Sequence, residues 1–261
     1  MPTLRPLAAR RSRRLPLVLA ALVLILATAC QVRTAVDVAM AEDGSGTVTV
    51  AIALDDEALA QVPDVNDDGT SGPDDLAAVV RTEDLVTAGW TVGDPASGEG
   101  ETALRVSRPF GTPAEAEQIL AELTGPSGAL RDVAVTRSTS FGRTELGFSG
   151  TVDLSGGLEA FGDEGLAAAL DGEPLGEDEA AIEQRIGQPL AEAVTLEVTA
   201  DLDGETRSWA PLLGDPPVEM QAEHTVYDVP VLALTAVAVL AALALAAVLL
   251  APLVRSRRHE T

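Results

Sequence analysis

The chain has 261 residues, a net charge of −24 and a sequence pI near 4.2, with 46% hydrophobic and only 3% aromatic residues. So acidic a chain excludes a nucleic-acid partner, whose phosphates call for a basic surface, and a single cysteine excludes a disulfide framework or a cysteine-rich zinc site. The length allows one domain or two small ones around an aliphatic core.

At the N-terminus, Arg5, Arg10, Arg11, Arg13 and Arg14 form a basic region, and Leu15 to Thr28 is an apolar run too short for a comfortable membrane span. Residues 1–29 therefore read as a secretory signal. Small residues lead into Cys30, the lone cysteine, and a cysteine with no intrachain partner at such a boundary points to lipidation. The arrangement resembles a bacterial lipobox, with Ala27 where that pattern prefers leucine and Leu26 one place earlier. A plain signal peptide or an uncleaved first span is the alternative.

The extracytoplasmic domain is expected over residues 30–228. Val32, Thr34, Val36, Val38 and Met40 alternate with Arg33, Ala35, Asp37 and Ala39, the period of two that gives a strand one buried face. After the turn residues 42–46 the pattern repeats at Val48, Val50, Ile52 and Leu54, so a hairpin is predicted. Next, Asp64, Asn66, Asp68, Gly69 and Asp75 occupy positions one, three, five, six and twelve of a calcium-loop spacing. Asp75 stands where a bidentate glutamate is usual, Ser71 replaces an apolar anchor, Pro73 stiffens the exit and no sister loop exists. These departures favour an ordinary Asp/Asn/Gly turn over a metal site, and no metal or cofactor is expected.

Asp74 or Asp75 caps a predicted helix in which Leu76, Val79, Val80 and Val86 favour one side, ended by Gly89. Strands are expected at 90–92 and 102–108. The clearest helix has Thr112 as N-cap, Pro113 in its first turn, Glu115 completing a capping box and Ala116, Ile119, Leu120 and Leu123 on one face, with Gly125-Pro126 stopping it. A strand pair follows at 132–136 and 144–154, then a short irregular helix at 158–170, a solvated helix at 177–186, and strands at 194–202 and 218–226.

The last feature is residues 231–250, an apolar run whose one polar side chain is Thr235, closed by Pro252 and Arg255, Arg257 and Arg258. As a helix it reaches about 30 Å, the thickness of a bilayer's hydrocarbon core. A transmembrane helix over 229–254 is predicted, with the basic tail 255–261 cytoplasmic and the acidic body outside. Ala238, Ala242 and Ala246 are spaced to approach a second helix. Hairpins with helices inserted between them predict an α+β fold, a mostly antiparallel sheet with two or more packed helices.

Taken together, the signal with its lipobox, Val32-Arg33-Thr34-Ala35-Val36-Asp37 directly after the cysteine, Ser45-Gly46-Thr47-Val48, Gly150-Thr151-Val152-Asp153-Leu154-Ser155 and the C-terminal span with arginines resemble the actinobacterial LppM-type lipoprotein family, from about Leu15 to Arg258. The resemblance implies an envelope protein with a β-rich domain at the membrane's outer face and, as in mycobacterial members, binding of mannosylated phosphatidylinositol lipids.

Catalysis finds little footing. The two histidines are His259, in the tail, and His224, a few residues from the span, and a serine triad would depend on His224 alone. The expectation is a non-enzymatic, membrane-anchored protein that binds an envelope lipid or glycolipid between the sheet and the helices beginning near Asp75 and Pro113. A scaffold meeting an envelope protein partner is the first rival and a hydrolase the second.

Overall fold

The computed structural model describes residues 31–65, 69–80, 82–98, 100–124, 128–161 and 179–257. The signal segment, Cys30, His259, the centre of the acidic loop (Asn66, Asp67 and Asp68), residues 162–170 of the predicted irregular helix and the first two residues of the predicted helix at 177–186 lie outside them.

The fold is α+β, built on two sheets. In chain order the strands of the larger are β1 (Val32–Met40), β2 (Gly46–Asp55), β3 (Thr91–Val92), β4 (Ala96–Gly98), β5 (Glu101–Phe110), β8 (Val194–Leu202) and β9 (Glu205–Trp209). Their spatial order is β3-β5-β2-β1-β8-β9, with β4 pairing β5. The smaller sheet, β10-β7-β6, comprises β6 (Leu130–Ser140), β7 (Arg143–Val152) and β10 (Val218–Tyr227).

Strand β1 holds the centre. It runs antiparallel to β2 from Val32↔Leu54 to Met40↔Gly46, and parallel to β8 from Val32↔Val194 to Met40↔Leu202. Because side chains alternate, one face of this sheet carries Val36, Val38, Met40, Val48, Val198, Ala200 and Leu202, all buried, and the other carries Arg33, Asp37, Thr49, Thr199 and Asp201. The smaller sheet lays Leu146, Phe148, Met220 and Ala222 onto the apolar face, and the Phe148 ring stacks on Trp209 at 5.9 Å. Helix α4 (Pro113–Thr124) completes this core with Ala116, Ile119 and Leu120. Its N-terminus is capped as the pattern predicts, with one difference: Thr112 Oγ1 accepts from the Glu115 N–H, and Glu115 reaches back to Gly111 N–H, one residue before the cap.

Other expectations are corrected. The helix predicted after the acidic loop is two, α2 (Pro73–Val79) and α3 (Thr82–Thr87), and Val79 and Val86 are exposed. With α1 (Asp56–Leu59), α2 covers a separate small core of Leu54, Ala58, Leu59, Leu76 and Leu104. Only a 3₁₀ turn, Gly157–Phe161, occupies the described part of the predicted irregular helix. Two further helices, α5 (Glu179–Ile186) and α6 (Leu190–Ala193), lead into β8, and α5 buries Ile182. The C-terminal helix α7 (Val229–Arg257) starts where expected and runs three residues beyond the predicted 229–254. Its Val229–Ala246 stretch has a mean hydropathy of 2.6 with none of it buried, long and apolar enough to cross a membrane.

The two junctions of the body are both tight and lie at opposite ends. At the start, Gln31 N–H donates to Asp55 Oδ2 (2.7 Å) and Gln31 O accepts from Asp55 N–H (3.1 Å). From there β1 runs its full length, about 30 Å at 3.3 Å per residue, to the end bearing the β1–β2 turn. That turn meets the β6–β7 hairpin, where Arg137 Nε donates to Glu42 O (2.7 Å). At the same end β10 passes into α7 through Asp228 alone.

Gly46 admits no side chain: a Cβ there would clash with Ala39 O and with the Phe110 ring, which lies against it. Gly46→Ala is expected to destabilise the fold by about 1–3 kcal/mol, the usual cost of overpacking. Denaturant unfolding of the detergent-solubilised chain measures it, and an unchanged midpoint would contradict this packing.

Candidate functional site

Helix α4 and strand β6 diverge from the large sheet as α4 reaches its C-terminus, and they leave a cleft of about 270 Å³. Its floor is the inward face near the start of β1: Thr34 and Val36, flanked by Val50, Ile52 and Leu196. Leu123 and Thr124 from α4, Ala129 and Leu130 from the start of β6, and Ala160 form the wall. Among the described residues no charged side chain lines it. Thr34 interrupts the apolar run of β1 and lines the space as a polar residue. The Thr124 hydroxyl is committed to the Leu120 and Leu130 carbonyls, at 3.2 and 3.3 Å, and so ties the end of α4 to the beginning of β6. The volume is at the low end of small-molecule sites, and the lining suits an acyl chain or another apolar segment, with one hydroxyl for orientation. A groove of about 280 Å³ on the other side of α4 is lined by Glu117, Arg131 and Asp132 as well as apolar residues, and Glu117 there accepts from Val135 N–H.

The cleft wall is braced from below by Asp153. Its Oδ1 accepts from both the N–H (3.0 Å) and Oγ (2.6 Å) of Ser155, its Oδ2 pairs with Arg131 Nη1 (2.9 Å), and its N–H donates to Ala129 O (2.8 Å). The hydrogen bonds from Ser155, helped by Arg131, hold the carboxyl below its ordinary value. The stretch Gly150–Ser155 is therefore a structural clamp.

Of the two helices expected to enclose a ligand, α4 borders this cleft, whereas the helix at Asp75 covers the separate small core that includes Leu54 and Leu104. The cleft was not legible as a residue list because it depends on how α4, β6 and the 3₁₀ turn meet. The one local signal was Thr34, a polar residue among the inward positions of β1.

The acidic loop is described only at its flanks. Asp75, 2% exposed, accepts from Val65 N–H on Oδ1 and from Gly72 N–H on Oδ2, both at 2.8 Å, and Asp64 Oδ2 accepts from Gly69 N–H at 2.7 Å. The two oxygens that a calcium ion would take at position twelve thus hold the backbone of the loop itself, while Asn66 and Asp68 are outside the described residues. Among the described residues no three acidic, histidine or cysteine side chains are grouped to hold a metal. His224 lies opposite Leu146 in the β10–β7 ladder, half-buried, with no hydrogen-bond partner among the described residues.

No known family profile matches this chain, and no curated protein matches it. Among solved structures it is similar to the folded domain of the Mycobacterium tuberculosis LppM protein, determined by NMR, with 11% identity and a TM-score of 0.36 over 78% of this chain and 94% of that one. A likeness of that degree assigns neither a family nor an activity.

Asp153 has its pKa lowered in the fold, so the stability it contributes is present above the ordinary carboxylate pKa and lost as pH falls through the lowered value. The stability gap between the native chain and Asp153→Asn should be widest near neutrality and close as pH falls through the lowered value, measured by urea unfolding across pH. A pH-independent gap would show that the charge is not involved. For the acidic loop, millimolar calcium or chelator should leave the melting temperature unchanged, whereas a rise of several degrees with calcium would assign the loop to the ion.

Proposed function

We propose that this chain is a non-catalytic envelope protein, held at the outer face of the cell membrane by α7, whose α+β domain takes the apolar part of an envelope lipid or glycolipid into the cleft. The cleft itself supports the reading best: mostly apolar, without a charged side chain among the described residues, and carried by a body that joins a helix of membrane-spanning length through one residue. In this reading residues 1–29 direct export and are removed, acylation of Cys30 adds a second anchor, and Arg255, Arg257 and Arg258 remain in the cytoplasm. Binding would be driven by withdrawal of acyl surface from water, with Thr34 the polar contact available inside. The surrounding acidity selects against direct adhesion to anionic headgroups.

Native mass spectrometry of the full-length chain released from membranes in mild detergent tests this. One lipid retained per chain is expected, and Ile52→Trp, which fills the floor of the cleft, should lower retention about tenfold while the melting temperature moves only a few degrees. Absence of retained lipid, or retention indifferent to Ile52→Trp, would overturn the reading. The same spectrum reports the acyl mass on Cys30.

A further inference from the structure

The β6–β7 hairpin ends in Ser140, Phe141 and Gly142, and its tip is fastened to the first turn of α7. Gly142 O accepts the N–H of Asp228 at 3.0 Å, and a Cβ placed on Gly142, whose φ is +72°, would stand 2.7 Å from Leu232 Cδ2. Asp228 is also the N-cap, with Oδ1 accepting from Val231 N–H (3.1 Å) and its carbonyl accepting from Leu232 N–H (3.0 Å). The hairpin tip therefore packs beside a residue four positions into the apolar helix, about 6 Å along its axis from the cap.

That depth decides the surroundings of the tip. Phe141 is 71% exposed and Tyr227, paired with Arg143 at the end of β10, is 58% exposed, and both adjoin the boundary where the chain turns from polar to wholly apolar. A large aromatic left open at a hairpin tip wastes apolar surface in water, but at the rim of a bilayer its ring lies among the upper acyl chains. Tyrosine suits the same layer, with its ring toward the chains and its hydroxyl toward water. The Arg143 guanidinium, beside the tip, pairs with Glu145 at 3.0 Å.

We infer that the β6–β7 tip is a second membrane contact of this chain, seating Phe141 and Tyr227 in the interfacial layer of the outer leaflet. The inference rests on α7 spanning the membrane. With a single residue between β10 and the helix, and the tip bonded to the helix's first turn, the body does not swivel freely on its anchor. The cleft, at the Leu130 end of β6, is then roughly 35 Å along the strand from the tip.

The chain's single cysteine makes the test direct, because Cys30→Ala leaves no thiol. In that background Phe141→Cys, Leu240→Cys and Gln61→Cys are each labelled with an environment-sensitive fluorophore. The full-length proteins are reconstituted in phosphatidylcholine vesicles with and without brominated acyl chains. Labels at 141 and 240 should be quenched several-fold more than the label at Gln61, an exposed residue at the opposite end of the body. Quenching at 240 with none at 141 would overturn the inference and leave the span standing. Absence of quenching at 240 would remove the span and the inference with it.

Discussion

The whole body depends on β1 being paired on both sides without a slip. Each of its nine residues has a partner in β2 and another in β8, and a shift of one residue on either side would turn Val36, Val38 and Met40 from the core to solvent. The parallel pairing with β8 brings together segments far apart in sequence. The intervening chain must supply the second sheet and α4, and these cover the face that β1 presents. Gly46 belongs to the same constraint, since at the pair nearest the turn the Phe110 ring occupies the space a side chain would need.

Much of this was legible locally. The period-two alternation of β1, β2 and β8 and the Thr112/Pro113/Glu115 start of α4 are signals contained in a few neighbouring residues, and the structure places those elements within a residue or two of where the patterns put them. The miss at 73–87 has a physical cause: Leu76 packs into the small core, but Val79 and Val86 find nothing to cover them, so a continuous apolar stripe never forms. The division into two sheets could not be read at all. Strand β7 looks like any half-buried strand, and its pairing with β10, 66 or more residues away along the chain, is decided by the shape of the core. The small strand β9 was hidden because its burial comes from one residue, Trp209, stacking on Phe148.

The candidate site illustrates the same division between local and global information. The residues that frame the cleft are ordinary core residues by composition, and each would be unremarked in any aliphatic domain. What opens the space is the angle at which the end of α4 meets the start of β6, fixed by the Thr124 hydroxyl between two carbonyls and by the Asp153 clamp at Ala129 and Arg131. Polar groups set the geometry here, and apolar groups line the space. The acidic loop shows the converse, a pattern that looked chemical in sequence and whose best-placed carboxylate, Asp75, is engaged in holding its own backbone.

The opposed positions of Gln31 and Asp228 bear on posture. Neither junction has slack: Gln31 is bonded twice to Asp55, and Asp228 is bonded to the hairpin. A chain fixed only through α7 holds its N-terminal end about 30 Å of β1 away from that junction. A chain also tied to the leaflet next to Gln31 would have to recline and tilt α7 with it, turning the axis of β1 toward the bilayer plane and bringing the cleft down to the lipid surface. One fatty modification would thus decide whether the same body reaches outward or lies against the membrane it came from.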